Sequence, residues 1–586
     1  FHPQLNNNIV RGAESSTVKK MTPQFAPKVY DALNKLQETS FLINQEVFNI
    51  YKILINTHSK EDLLRRDYKT INTSPFKHEK EEMVASRIGM YIEAKYIADL
   101  ATTIDTRPFY HIYNCDFRGR IYPNTAYLHE QSSDNSKGLL KYEKSEPLGE
   151  YGEYWLAIHT ANSIGEDKLT LEDRVGYVED NMDKIISWAE DPLVNNEWMT
   201  TDKAWSTLAC AFEWLHIRDW ELIGGNPRNT YACNIPIFID GSNNGVQHLT
   251  ALSLDEKIAP LVNLVPTEVP GDVYMYVADR TWMSIDKEQK ILTENENPII
   301  KEMPRLLEEI KAIKLKREVA TNKEERDLAF KELDEWRKIN KDLTKEIHIP
   351  FWHSIQDKKL QRKTVKRPVM TLGYGVTDQG IRDQVFDDTK TLSETLKFKD
   401  KSWSNNFADI LNKAMRSSLE GPANMLDLFK KIAESFNTRN AQMQWLVPVT
   451  NFPVKHNYIR TKEERVRIKF CKQNILASIQ LSEDAKLDKR KQISSAAPNV
   501  VHSFDAAHLT LIVNNSPFIV TTVHDSFGCH PGNMDDLFRI TREQFIAFYS
   551  TDPLINLLGQ TGCEELAISR GSLDINEVLK SDFAFC

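Results

Sequence analysis

Residues 234–248 read NIPIFIDGSNNGVQH, and residues 518–528 read FIVTTVHDSFG. In the first, apolar β-formers over 234–240 predict a short buried strand that ends in Asp240 and runs into a Gly-Ser-Asn-Asn-Gly turn. In the second, an apolar β-run stops at His524-Asp525 and turns back through Ser526-Phe527-Gly528. A carboxylate at the end of a buried strand is rigid and faces the edge of a cleft. Two such carboxylates brought together could hold a pair of Mg²⁺ ions, which take oxygen ligands and complete their shells with water and substrate phosphates. Two ions about 4 Å apart would activate an attacking hydroxyl and stabilise a leaving pyrophosphate. Taken singly, either residue is better explained as a turn or capping Asp.

Between them lies a basic stretch, KKLQRKTVKR at 358–367, with six positive charges and no negative one. Arg362 and Lys366 are four apart, so on a helix both cations leave one face. Cations so placed suit a triphosphate and the charge that develops on it. Tyr374-Gly375 should close that helix with an aromatic ring beside a flexible turn, and Pro368, lacking an N–H donor, should start or kink it.

The chain around these segments has 586 residues, too many for one compact domain. Hydrophobic residues make up 41% and charged residues 27%, which excludes a disordered chain, and no apolar run is long enough for a transmembrane helix. The start, Phe1-His2-Pro3, has no signal-peptide pattern; it also lacks a Met, consistent with an upstream part. Seven widely spaced cysteines without a CxxC pair argue against a disulfide framework or a structural zinc site. The net charge of -9 alone weighs against a nucleic-acid partner, so local charge must decide.

Residues 25–110 should be mostly helical, with Ala32, Leu33, Leu36, Phe41 and Leu42 at roughly helical spacing. Residues 111–125 are β-formers around an Arg-Gly-Arg turn, and 145–230 return to helices, with Trp155, Trp188, Trp198, Trp205, Trp214 and Trp220 as core residues. Thirteen Lys/Arg and twelve Asp/Glu crowd residues 301–350, predicting one or two long, exposed, salt-bridged helices. Residues 455–472 carry seven Lys/Arg against two Glu, with RVRIKF reading as a β-ribbon. A basic helix and a basic ribbon suit phosphate contacts, although each alone is commonly a solvated face.

The order Asp240, Arg362-x3-Lys366-x7-Tyr374-Gly375, His524-Asp525 resembles motifs A, B and C of right-hand polymerases. DFRGRIYP (116–123), SKGLL (136–140), DGSNNGVQH (240–248), VKRPVMTLGYG (365–375), PNVVHSFDAAH (498–508), HDSFG (524–528) and SDFAF (581–585) resemble, in order, the single-subunit RNA polymerases of the bacteriophage type, which also serve mitochondria. The resemblance runs from about residue 30 to the last residue. It implies an α+β, mostly helical right-hand fold of thumb, palm and fingers with a small antiparallel palm sheet. The implied parts are a remnant of the N-terminal region and thumb at 1–110, palm at 111–145, a palm insertion at 146–230 and palm with motif A at 231–255. Fingers would follow at 256–497, with motif B, the charged insertion 301–350 and a specificity ribbon at 452–482. Palm with motif C and a C-terminal foot would close the chain at 498–586.

The same resemblance implies roles. Asp240 and Asp525 would be the catalytic, metal-binding pair for two Mg²⁺ ions. Arg362 and Lys366 would contact the nucleotide phosphates, with Lys366 and Tyr374 counted among the catalytic residues. Tyr374 would stack at the insertion site and help choose ribose, with His502 its hydrogen-bonding partner near the 2'-hydroxyl. Tyr274 would lie near the substrate sugar, Lys168 and Lys137 near the nucleotide and nucleic-acid path, and Arg120 at the template and hybrid. Phe585 would pack close to the site. Arg460, Arg465 and Arg467 of the ribbon would contact promoter DNA in the major groove. The expected activity is template-directed ribonucleotide addition with release of pyrophosphate. The expected partners are double-stranded DNA template and promoter, the RNA product and ribonucleoside triphosphates, with no membrane and a monomeric enzyme. HDSFG points to a phage-encoded protein in the cytoplasm of an infected bacterial host rather than a mitochondrial one. About 115 residues precede DFRGR, where the family has a longer promoter-binding region. The alternatives are a DNA polymerase of the related family, against which Gly245 stands where those enzymes carry a Glu that crowds the 2'-hydroxyl, and a non-catalytic nucleic-acid-binding relative.

Overall fold

The computed structural model describes residues 9–11, 21–57, 77–294, 341–396, 402–460, 462–470, 473–481 and 486–586, with scattered positions between 309 and 335. It is mostly helical, with small antiparallel sheets. The chain forms two compact units, one from Phe1–Gly271 with Met425–Cys586, the other from Asp272–Asn424.

In the first unit a three-stranded antiparallel sheet carries both strand-end carboxylates. Thr521–Val523 and Ser526–Cys529 form a hairpin, and Ile237–Asp240 pairs with the second of these strands, Ser526 opposite Asp240 and Phe527 opposite Ile239. The hairpin turns on two residues, His524 and Asp525, and His524 takes a left-handed φ of 59°, as tight two-residue loops between strands require. The strand faces are apolar and buried, with Ile237, Ile239, Phe527 and Cys529 in the core. The helix Asn244–Ser253 follows the Asp240 turn and is buried along its whole length, Gly245 included. The long helix Lys489–Asn515, with His502 and Asp505, packs against it.

The Arg-Gly-Arg segment is a hairpin of Tyr113–Cys115 and Ile121–Pro123, with Gly119 at φ 97°. Among the described residues of 27–104 most are helical, in Pro27–Gln37, Gln45–Thr57 and Lys77–Ile104. Phe41 and Leu42 are an exception to the helical reading. They lie in a strand, Ser40–Ile43, paired with Phe109–Tyr110 and Leu140–Tyr142. Its near-continuous burial gives an apolar run whose spacing does not separate strand from helix. Trp155, Trp188, Trp198 and Trp214 are core residues, but Trp220 is 39% exposed, lying at the solvent end of its helix with Nε1 donating to Thr230 Oγ1 at 3.1 Å. Trp205 is half-buried, edge-on to Tyr51 and Trp198.

The second unit is helical: Val273–Glu294, Lys341–Ser354, Lys358–Leu372, Asp378–Leu396 and Ser402–Ser418. Trp352 stacks on Phe407 at its centre, 4.0 Å between ring centroids, and Trp282 Nε1 donates to the Trp352 carbonyl at 3.1 Å. The described positions between 309 and 335 are helical, and Lys316 pairs with Glu332 at 2.7 Å; the rest of the charged 301–340 stretch lies outside the described residues.

The ribbon is a long hairpin, Lys462–Phe470 against Gln473–Leu481, in register from Lys462 opposite Leu481 to Phe470 opposite Gln473. The hairpin begins at Lys462 rather than at residue 452, where the expected ribbon 452–482 starts. Pro453–Lys455 pairs instead with Gln444–Leu446, and Phe452 is buried because its ring fills the space over Gly119. Among the described residues no helix is long and apolar enough to cross a membrane, and six cysteines are unpaired, five of them buried.

Candidate active site

The antiparallel register brings the two carboxylates together. Gly241 N–H donates to the Asp525 carbonyl at 3.2 Å, and Ser526 Oγ donates to the Ile239 carbonyl at 3.0 Å. The C-terminal segment adds a further edge. Cys586 N–H donates to the Asp240 carbonyl at 3.1 Å, Phe585 bridges Gly241, and Gln247 Nε2 donates to the Ala584 carbonyl at 2.8 Å. Phe585 is buried against His508 and Phe545. Asp240 is therefore fixed on both sides by backbone pairing, with Phe585 beside it.

A cavity of about 310 Å³ opens at this point, lined among others by Lys137, His159, Lys203, Asp240, His524 and Asp525. Burial, then the Asp240 charge, then the Asp505 charge push the Asp525 carboxyl up to about 8. Asp240 keeps an exposed face toward the cavity, yet the surrounding protein also raises it, against the pull of Lys203, Lys137 and Lys168. Two crowded carboxylates that resist joint ionisation are the donor set a hard divalent cation neutralises. Among the described residues no group of three or more His, Cys, Asp or Glu forms a closed metal cage. The pair fits magnesium, which needs only one or two carboxylates and takes the rest of its shell from water and phosphate.

Lys137 is half-buried in the short helix Asp134–Gly138, and Lys203 precedes the helix Ala204–Leu222. Asp134 joins the two by accepting from Trp205 N–H at 2.7 Å and from Ser206 Oγ at 2.6 Å. Lys168 is exposed, with its ammonium on Asp167 at 2.7 Å.

Arg120 turns inward rather than outward. Its guanidinium grips Asp505, Nε lying 3.2 Å from both oxygens, and the pair is buried. Burial opposes ionisation of Asp505, but the charge and hydrogen bonds of Arg120 outweigh it and hold the carboxyl at about 2. Asn244 Nδ2 also donates to Asp505 at 3.0 Å. Beside this pair, Arg118 Nη1 meets His502 Nδ1 at 2.5 Å, while its Nε and Nη2 sit on Asp116. Sequence reasoning missed Asp116, Arg118, Lys203 and Asp505. Asp116 and Arg118 stand in the DFRGR string, and Asp505 stands three residues after His502 and so on the same helical face, whereas Lys203 carries no local signal.

In the second unit, the helix Lys358–Leu372 is capped by Asp357, whose side chain accepts from Lys359 N–H at 2.9 Å. Pro368 lies inside this helix and does not start it, because the Asp357 cap fixes the start ten residues earlier. Arg362 Nε donates to Asp272 at 2.5 Å, and its guanidinium lies 5.1 Å over the Tyr274 ring. Lys366 is exposed one turn on. After Leu372 the chain closes through Tyr374 N–H to the Thr371 carbonyl at 3.1 Å, with Gly375 at φ 68°, as the sequence suggests.

In the ribbon, Arg465 and Arg467 stand opposite Ser478 and Leu476 in the register, and Arg460 is exposed at the ribbon's base, its N–H on the Lys486 carbonyl at 2.9 Å. The side chains of Arg465 and Arg467 lie outside the described residues.

The model of the DNA-dependent RNA polymerase family matches residues 146–565. The chain belongs to this family. The polymerase of Enterobacteria phage T3 is 26% identical over 98% of this chain and 66% of its own length, and T7 RNA polymerase of Escherichia phage T7 is 27% identical over the same shares. The mitochondrial DNA-directed RNA polymerase 1 of Arabidopsis thaliana is 29% identical over 98% of this chain and 55% of its own length. The chain thus spans slightly less than two thirds of the phage polymerases it matches and little more than half of the organellar one. Phage and organellar members of the family both match along nearly all of it.

Proposed function

We propose that this chain is the catalytic portion of a DNA-directed RNA polymerase, adding ribonucleotides to a growing strand on a DNA template. The observation that carries the reading is the antiparallel pairing of Ile237–Asp240 with Ser526–Cys529, which sets two mutually repelling carboxylates at one mouth of a cavity bordered by lysines. In the reaction a strand's 3'-hydroxyl attacks the α-phosphate of a ribonucleoside triphosphate and pyrophosphate leaves. Asp240 and Asp525 would hold two Mg²⁺ ions, whose charge would offset that of the attacking and leaving oxygens.

The other roles belong to the same proposal. Arg362 and Lys366 bind triphosphate oxygens, Tyr374 and Tyr274 serve the base and sugar of the nucleotide, and His502 reads the 2'-hydroxyl. Lys137 and Lys168 serve the phosphates near the site. Arg120 supports the site through Asp505, and its position suits a turn that faces the template. The first unit's sheet and its flanking helices correspond to a palm, within the right-hand fold that the family implies. The ribbon 462–481, with Arg460 at its base, reads promoter DNA, and the enzyme works as a monomer. The phage-like HDSFG string favours a phage-encoded protein acting in an infected bacterium.

The test is a primed DNA template with Mg²⁺ and, in parallel, ribonucleoside or deoxyribonucleoside triphosphates. Extension with the ribonucleotides in preference to the deoxyribonucleotides supports the reading. Preference for deoxyribonucleotides, or no extension by a protein that binds the template, overturns it.

A further inference from the structure

The DFRGR turn is built around one carboxylate. Asp116 Oδ1 accepts from the backbone N–H of Arg118 at 2.8 Å and of Arg120 at 3.1 Å. Its Oδ2 accepts from Arg118 Nε at 2.8 Å and Nη2 at 2.6 Å. This two-pronged grip fixes the plane of the Arg118 guanidinium. Gly119, at φ 97°, closes the turn under the Phe452 ring, where a Cβ would come within 3.3 Å of that ring. The remaining nitrogen, Nη1, points at Nδ1 of His502, buried on the helix Lys489–Asn515.

A guanidinium has only donors to offer. Nδ1 of His502 is therefore the acceptor, and in a neutral imidazole the proton then sits on Nε2. The neutral form is the one present: burial holds His502 down at about 3, and the Arg120 and Arg118 charges add to this against the opposing pull of Asp505.

We propose that Arg118 is a positioning residue for sugar selection: held by Asp116, it locks His502 in the Nε2–H tautomer, so that His502 meets the nucleotide as a hydrogen-bond donor to the ribose 2'-oxygen. This rests on the reading of His502 given under Proposed function. A deoxyribonucleotide has no oxygen there and leaves a buried donor without its acceptor, the kind of mismatch that discriminates strongly between substrates. Arg118 itself need not touch the nucleotide.

The experiment uses the whole protein with ¹⁵N-labelled histidine, reading the two ring nitrogens of His502 by long-range proton–nitrogen correlation, with His502→Ala to assign the signal. Primer extension with ribonucleoside and deoxyribonucleoside triphosphates is measured on the same samples. The wild type should show a protonated Nε2 and a bare Nδ1. Arg118→Met should give mixed tautomers and about a tenfold loss of ribose selectivity, seen mainly in KM for the ribonucleotide, and Arg118→Lys should restore part of both. A wild-type His502 protonated at Nδ1 overturns the proposal, and this readout stands even if Arg118→Met does not fold. So does an Arg118→Met variant that folds and keeps both the tautomer and the selectivity while His502→Ala loses selectivity. If His502→Ala itself leaves selectivity unchanged, the role of His502 in sugar reading fails, and the proposal with it, whereas a wild-type tautomer as expected still establishes the Arg118 contact.

Discussion

Arg120 and Asp505 lie 385 positions apart and form a buried ion pair that ties the DFRGR turn to the helix carrying His502. Removing one partner of such a pair leaves a charge in the interior without compensation, at a cost of about 3–5 kcal/mol. Asp505→Ala and Arg120→Ala should each lower the unfolding free energy by about that amount. The double variant Arg120→Met, Asp505→Leu should recover most of it. Urea unfolding checks this; single variants within about 1 kcal/mol of wild type would show that the pair carries little of the fold's stability.

Gly138, in the SKGLL string, lies where a Cβ would stand 2.6 Å from the Trp205 carbonyl oxygen, a backbone atom that cannot swing aside. Gly138→Ala should therefore cost roughly 1–3 kcal/mol, as overpacking does, and should disturb Lys137 beside it. The checks are thermal unfolding and nucleotide addition measured on the same preparation. An unchanged melting temperature with unchanged activity would remove the steric account of this glycine.

Stability should fall on acidification. Burial, the largest cause in each case, holds His111, His159, His248, His456 and His502 at about 3 and His508 at about 4 in the folded chain. Unfolded histidine titrates near 6.5. Between those values the unfolded chain binds more protons, so their contribution is fully present above about pH 6.5 and is lost progressively as pH falls toward about 3. Groups raised in the folded chain work the other way in part of that window: buried Glu130, up to about 7, and Asp525, up to about 8, with Asp240, Glu153 and Glu213, and His216 beside Glu46. They are fewer than the lowered histidines, which also include His129, His524 and His530. Melting temperatures at pH 7.5, 6 and 5 should decline in that order; a flat or rising series would contradict the neutral, buried histidines.

The ribbon gives a prediction of its own. Deleting residues 458–470 should remove promoter-dependent initiation and spare extension of a preformed primer–template, because the hairpin 462–481 lies outside the sheet that holds Asp240 and Asp525. Loss of both activities together would make the ribbon structural rather than a reader of DNA.

What the sequence shows plainly is what a local pattern can carry. Asp240 and Asp525 are legible because each ends an apolar β-run, and the basic helix is legible because Arg362 and Lys366 repeat at four residues. The contacts that organise the site around them are not local. Arg120 with Asp505, and Arg118 with His502, join segments that no periodicity connects, and Lys203 stands as a single cation in an unpatterned TTDKAW stretch. Phe41 and Leu42 were misleading for the converse reason, since a strand buried nearly throughout has no alternation to betray it. Pro368 does not start its helix because a strong N-cap at Asp357 and ten preceding residues outweigh one missing donor.

The most direct test is single-nucleotide addition on a primed DNA template with Mg²⁺ and ribonucleoside triphosphate, comparing wild type with Asp240→Ala and Asp525→Ala, alongside template binding. Each substitution removes an oxygen ligand and leaves the protein's cations in place. Both variants should bind the template nearly as wild type does and lose addition by far more than tenfold. A rate above about a tenth of wild type, a loss under about 1.4 kcal/mol of barrier, in either variant would contradict the assignment of these two carboxylates as the catalytic pair.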